Sequence, residues 1–297
     1  MKLIAKTFHG LEALLAQELA ELGATNIQPT LRAVEFNGDQ TLLYRANLEL
    51  RTALRILKSV HTFRARNERD LYQQIGQMDW SKLMAVKDTL AVDAIVSSRF
   101  FKHSKYVALK TKDAIVDQFR DRFGKRPNVN VHNPSLRINV RIHEDQVFVS
   151  LDSSGESLHK RGYRTATVDA PINEVLAAGL VLHSGWQKDC HFIDPMCGSG
   201  TILIEAGMYA HNIPPNIQRE HFGFMKWKDY DPALWSAIVQ AAKEKISNFD
   251  YQLLGSDKNL GAVRKTEANA DAAGLSDKIE VQRKAFERLI LDFEKAM

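Results

Sequence analysis

Cysteine is nearly absent from this 297-residue chain: Cys190 and Cys197 are the only two, too few for a disulfide framework or a four-cysteine zinc site. Long apolar runs are missing as well. No stretch approaches the roughly 18 apolar residues that a membrane helix requires, and the amino-terminal MKLIAKTFHG has neither a long apolar region nor a small-residue cleavage site. The expectation is a cytoplasmic protein without membrane attachment and without a resident metal. Two nucleotide signatures are also absent. After the glycine pair Gly198 and Gly200, the third glycine of a dinucleotide fingerprint is replaced by Leu203, and a P-loop would need Gly-Lys-Ser/Thr where this chain has Gly200-Thr201-Ile202. Neither NAD nor ATP is favoured.

What is present is an ordinary globular composition, 44% hydrophobic and 26% charged, long enough for about two domains. The informative stretch is HFIDPMCGSGTILIE, from His191 to Glu205. His191 to Ile193 reads as the end of a buried strand, Asp194 to Gly200 as a tight loop, and Thr201 onward as an apolar helix. Glycine in such a loop takes backbone angles closed to other residues and lets a ligand lie against the main chain, facing the first amides of the next helix. An ordinary strand-to-helix connection that happens to contain glycines is the alternative. Tyr251 to Ser256 reads as a second strand, and Asp257 stands at its carboxyl end, where an acid can accept hydrogen bonds from both ribose hydroxyls of a nucleoside. For Asp257 alone, a helix cap before Asn259 is the competing reading.

The strand-end acid leading into Gly-Ser-Gly carries a resemblance. DPMCGSGTILIEA resembles the first cofactor loop of class I S-adenosylmethionine (SAM) methyltransferases, in the form found in bacterial RNA guanine-N2 methyltransferases that carry a THUMP domain; SGESLHKRGYR and APINEVLAAGLVLHSGW resemble the same family. The resemblance implies SAM as cofactor, held by Asp194, Pro195, Met196, Cys197, Gly198, Ser199, Gly200, Thr201, Asp257 and Lys258. It implies methyl transfer to guanine N2 in RNA, with large-subunit (23S) ribosomal RNA as the expected partner. The pattern is departed from in two places. The acid that follows the third strand and contacts adenine in many members is replaced by Arg283-Lys284-Ala285-Phe286, and the catalytic Asn-Pro-Pro-Tyr signature occurs nowhere in the 297 residues. No catalytic residue is assigned, and the chain as given is expected to be inactive. A binding module that grips RNA and SAM without turnover is one competing class; a DNA adenine methylase, which shares the Pro-Pro-Tyr type of signature, is another.

The expected fold is α/β: a doubly wound Rossmann-like methyltransferase domain, incomplete at its carboxyl end, preceded by an α+β RNA-binding region that contains a THUMP-like domain. Three segments are expected. Residues 1–50 form a small ferredoxin-like unit, residues 51–155 the THUMP-like domain, and residues 156–297 the cofactor domain. Within the second, strands are predicted at 54–65, 89–97, 136–142 and 146–151, the last two turning at Glu144-Asp145, and helices at 68–83 and 105–123. Charge is concentrated here: between Arg51 and Arg126 stand 17 lysines and arginines against 8 acids, while the net charge of the whole chain is +4. Such an excess is an electrostatic footprint for a polyanion, or else a solvated helix face. Arg99, Lys102, Lys105, Lys110, Lys112, Arg120, Arg122, Lys125 and Arg126 are the expected phosphate-facing residues, joined by Lys160, Arg161 and Arg164 from the KRGYR stretch. Phe100 and Phe101 are candidates for base stacking, with at least one of them a core anchor. The aromatic insertion at 211–228 reads as a lid or, preferably, as packing.

Overall fold

A computed structural model describes residues 1–167, 171–290 and 295–297. Val168, Asp169 and Ala170, the last of which opens the APINEVLAAGLVLHSGW stretch, lie outside the described residues. In chain order the elements begin with β1 (Lys2–Lys6), α1 (Glu12–Glu21), β2 (Thr25–Thr30), β3 (Ala33–Asn37) and α2 (Gln40–Glu49). Next come β4 (Arg55–Arg64), α3 (Glu68–Gln77), β5 (Thr89–Ser97), α4 (Ser104–Phe123), β6 (Asn128–Val129), β7 (Leu136–His143) and β8 (Gln146–Asp152). The remainder is α5 (Glu174–His183), β9 (Phe192–Asp194), α6 (Thr201–Ala210), α7 (Pro232–Glu244), β10 (Leu253–Asp257), α8 (Leu260–Ala272) and β11 (Ile279–Arg283). The chain divides into two compact units, one of Met1–Ile4, Arg55–Glu156 and His221–Pro232, the other of Ala5–Leu54, Ser157–Glu220 and Ala233–Met297.

The first unit is a sheet in the order β4-β8-β7-β5-β6. The β7–β8 pair is an antiparallel hairpin whose turn residue Glu144 takes φ +50°, and β5 runs parallel to β7 over its whole length. Its helices carry their apolar residues on one face: Leu71 and Ile75 of α3, and Val107, Ala114, Ile115 and Phe119 of α4, are buried. Helix α3 stops at Gln77, earlier than the spacing predicts. The Gln118 side chain donates to the carbonyls of Gly76 and Met78, and Trp80 is buried with its indole N–H on Ile75 O at 2.8 Å, so the chain turns inward there. The insertion packs. Phe222, Phe224 and Trp227 are buried, the two phenylalanine rings stacked at 5.4 Å, and Gly223 lies so close to Asp152 O that a Cβ would fall 2.7 Å from it.

In the second unit a parallel sheet runs β11-β10-β9, so the three strands end on the same edge. Near-continuous apolar strands beneath helices are what a buried parallel sheet demands, and Leu253, Phe192 and Ile279 meet Leu203, Ile204 and Ala270 in one core. Gly207 and Gly255 let α6 approach the sheet: a Cβ at Gly255 would stand 2.6 Å from Leu203 Cδ2. β9 and the residue before it also bond to the last two residues of the chain. Ala296 bridges to His191 in parallel, Ile193 N–H donates to Met297 O at 2.9 Å and Met297 N–H to His191 O at 2.9 Å.

Candidate active site

Parallel pairing of β9 with β10 places Asp194 opposite Gly255, and Asp257 follows two residues later on the same edge. Both carboxylates are half-buried there. Asp194 Oδ1 accepts from Met196 N–H at 3.3 Å; Asp257 accepts from Gly198 N–H at 3.2 Å through one oxygen and from Asn259 N–H at 2.8 Å through the other. Burial, with the nearby charge of Asp257 as a smaller cause, raises the Asp194 carboxyl above its ordinary range, against the Met196 bond that lowers it. Two acids are thus held together without a basic side chain bonded to either among the described residues.

The loop between them is built on left-handed glycines. Gly198 has φ +58° and Gly200 φ +79°, and a Cβ on Gly200 would meet Thr266 Cγ2 at 2.5 Å. Thr266 belongs to α8 and donates to Gly198 O at 3.0 Å; three residues on, Asn269 donates to Ser199 O at 3.0 Å and to Ala166 O at 2.8 Å. Its Oδ1 accepts from the backbone N–H groups of Thr165 and Ala166, at 2.9 and 3.0 Å. A single buried side chain therefore ties the loop to residues 165–166. Cys197 is buried, bonded through N–H to Ser256 O at 3.0 Å, and burial pushes its thiol up to about 11. It is a packing residue, not a nucleophile. Met196 by contrast is exposed, as is Lys258. Thr266 and Asn269 escaped the sequence reading; the only signal was a polar pair at i, i+3 on an otherwise unremarked helix.

The expected RNA contacts separate into groups. Arg161 is a correction: at 1% exposure it lies in the core, with Nε 3.4 Å from Glu205 Oε1, NH1 on Leu158 O and NH2 on Arg51 O, and it cannot meet RNA. Tyr163 joins the same carboxylate at 3.0 Å. Arg164 is turned inward too, onto Glu174, Ile172 O and the Thr201 hydroxyl. Of the first-unit residues, Arg99, Arg120 and Arg122 are exposed but paired with Glu144, Asp117 and Asp79. Lys102, Lys105, Lys125 and Arg126 are exposed with no ion-pair partner among the described residues. Lys160 is exposed as well. Phe101 is 4% exposed and Phe100 36%, so one anchors and the other faces solvent.

With this geometry in place, comparison with known proteins is informative. Residues 2–57 match the RlmL ferredoxin-like domain, residues 65–152 the THUMP domain, and residues 161–296 the RMKL-like methyltransferase domain. A protein of Synechocystis sp., provisionally named an RNA methyltransferase, is 40% identical over 95% of this chain and 74% of its own length. The ribosomal RNA large subunit methyltransferase K/L of Syntrophotalea carbinolica is 37% identical over 97% of this chain, which spans 42% of that protein. Among solved structures, SMU.472, provisionally named a methyltransferase and crystallised with SAH, superposes with a TM-score of 0.87 at 31% identity, covering 98% of this chain and 77% of that one. No described helix is long and apolar enough to cross a membrane.

Proposed function

Since the chain belongs to the family of THUMP-domain RNA methyltransferases, we propose that it binds SAM at the loop from Asp194 to Thr201 and serves methylation of guanine N2 in large-subunit (23S) ribosomal RNA. The carrying observation is the pair of half-buried acids at one sheet edge, Asp194 and Asp257, joined by a glycine loop whose helix begins at Thr201. Such a site fits a ligand with two positive centres and a ribose. A cationic ligand offsets the burial that chiefly raises Asp194 and the smaller repulsion from Asp257, and Asp257 offers its carboxylate to ribose hydroxyls beside Lys258. Pro195, Met196, Cys197, Gly198, Ser199 and Gly200 supply the wall against which it lies.

SAM supplies an activated methyl on a sulfonium, so the chain's task is to position donor and acceptor and to exclude water. That accords with a site of paired acids and fixed backbone. The ribosomal substrate is suggested by the Syntrophotalea relative, RNA binding by the THUMP match with the free cations Lys102, Lys105, Lys125 and Arg126, and a cytoplasmic setting by both. The division at 1–50, 51–155 and 156–297 is kept in this reading, supported by the three matched ranges. Asn-Pro-Pro-Tyr does not occur among these 297 residues, and no residue of the chain is assigned here to hold the acceptor amine.

The test is transfer of label from methyl-labelled SAM to unmodified ribosomal RNA, followed by nucleoside analysis. Label in N2-methylguanosine supports the reading; N6-methyladenosine would replace it with an adenine methylase.

A further inference from the structure

The loop that precedes α4 is built to show one aromatic ring and hide the next. The Ser98 hydroxyl accepts from the N–H groups of Phe100 and Phe101, at 3.0 and 3.3 Å, and donates to Glu144 O at 2.6 Å. This side-chain turn fixes the backbone, and Phe101 sinks into the core. Phe100 is left in solvent, rigidly presented. The Arg99 guanidinium stands 5.0 Å from its ring centroid and that of Arg66 5.8 Å away, each also held by a carboxylate of the β7–β8 turn, Glu144 or Asp145. One turn into α4, Tyr106 is 40% exposed with the Lys110 ammonium 5.8 Å from its ring. Phe100 and Tyr106 line one open groove of about 690 Å³, whose other walls include Lys102, Lys105 and Leu109, with Glu68 as its single acid.

An exposed phenylalanine by itself needs no explanation. Two exposed rings lining the same groove, flanked by five cations, do. A duplex presents phosphates but hides its base faces, whereas an unpaired strand offers both, and aromatic platforms beside basic side chains are the arrangement that grips it. We propose that this groove takes an unpaired nucleotide of the RNA substrate, its base stacked on Phe100 or Tyr106 and its phosphates on Lys102 and Lys105. The inference rests on the RNA-binding reading above and adds to it the class of RNA: single-stranded at this point, held by base faces as well as by charge.

The experiment uses the full 297-residue chain and fluorescein-labelled 12-nucleotide RNAs: an unpaired strand, the same strand with abasic positions, and its duplex. Wild-type protein binds the unpaired strand tighter than either other probe. Phe100→Ala and Tyr106→Ala each weaken that binding roughly five- to a hundredfold, with an unchanged melting temperature because both rings are exposed, while the salt dependence stays as in wild type. Lys102→Glu with Lys105→Glu lowers the salt dependence instead. Equal affinity for natural and abasic strands, or alanine variants that bind like wild type, would overturn the stacking site while leaving RNA binding intact. Failure of all three RNAs to bind would overturn it together with the RNA-binding reading itself.

Discussion

The cofactor loop and the basic surface of α4 present ligand groups in opposite ways. At the loop, Thr266 and Asn269 hold the carbonyls of Gly198 and Ser199 beside left-handed glycines before any ligand arrives, and Asp194 and Asp257 stand half-buried. On α4 and the loop before it, lysines and arginines extend into water, several of them already neutralised by Asp117, Asp79 or Glu144. A small ligand repays rigidity because each bond must form in one geometry, whereas a polyanion repays loose charge because counterions leave whichever phosphate is met. The loop is therefore expected to fail in large single steps, and the surface in small additive ones.

Asp257→Ala is the sharpest way to break the loop. Two charge-assisted hydrogen bonds to a ribose, each worth about 1.5–3 kcal/mol, disappear, and the Gly198 amide loses its acceptor. Calorimetry should show SAM affinity falling by a hundredfold or more; an unchanged Kd would remove Asp257 from the site. Gly200→Ala comes next, because two comparable glycines allow a control. Gly124, the left-handed cap of α4 with φ +66°, has nothing within 4 Å of a built Cβ, whereas Gly200 meets Thr266. Urea denaturation should give a loss of about 1–2 kcal/mol for Gly124→Ala from backbone strain, and about 2–4 kcal/mol for Gly200→Ala, where Thr266 must also move. Equal losses would mean that α8 does not hold the loop.

The surface should answer differently. Reversing Lys125 and Arg126 to Glu removes two free cations and should lower the salt dependence of RNA binding by about one to two units of slope. Arg120→Ala, whose guanidinium lies 2.6 Å from Asp117 Oδ1, should change it far less, since an exposed pair already spends that charge. Titrations across a range of salt decide it. If the paired and unpaired residues behave alike, the division of the surface into spent and available charge is wrong.

The same contrast governs what was legible in the sequence. The loop announces itself because glycine takes φ +58° and +79° at no steric cost, and the acid at a strand end is tied to the sheet's direction. Regular elements with clean periodicity, β5 at 89–97 and α4 within a residue, could be read for the same local reason. What could not be read depends on partners far away in sequence. Arg161 looks like a surface cation in KRGYR, yet Glu205, 44 residues on, and the carbonyl of Arg51 draw it into the core. Gln118 ends α3 across 40 residues. The isolated bridge of Ala296 to His191 offers no period to read, and Asn269 sits in a helix whose composition gives no hint that it spans to Ser199 and Ala166.

The smallest expected effect separates function from stability at the loop itself. Burial and the neighbouring Asp257 raise the Asp194 carboxyl in the folded chain above the usual unfolded value of about 3.9. A raised acid favours folding fully below its unfolded pKa, and that contribution is lost as pH rises through the folded value, so at neutral pH the ionised group costs stability. Asp194→Asn removes the charge while its amide oxygen can still accept from Met196 N–H. Urea midpoints should therefore rise slightly at pH 7, by about 0.5–1 kcal/mol, the scale of a typical stabilising substitution. The gain should vanish near pH 3.5, where the wild-type carboxyl is itself protonated. SAM affinity should move the other way at pH 7, because the ligand's positive charge loses one of its two acids. A variant less stable than wild type at both pH values would show that the carboxylate braces the loop, and a variant that binds SAM as well as wild type would show that Asp257 alone answers the ligand's charge.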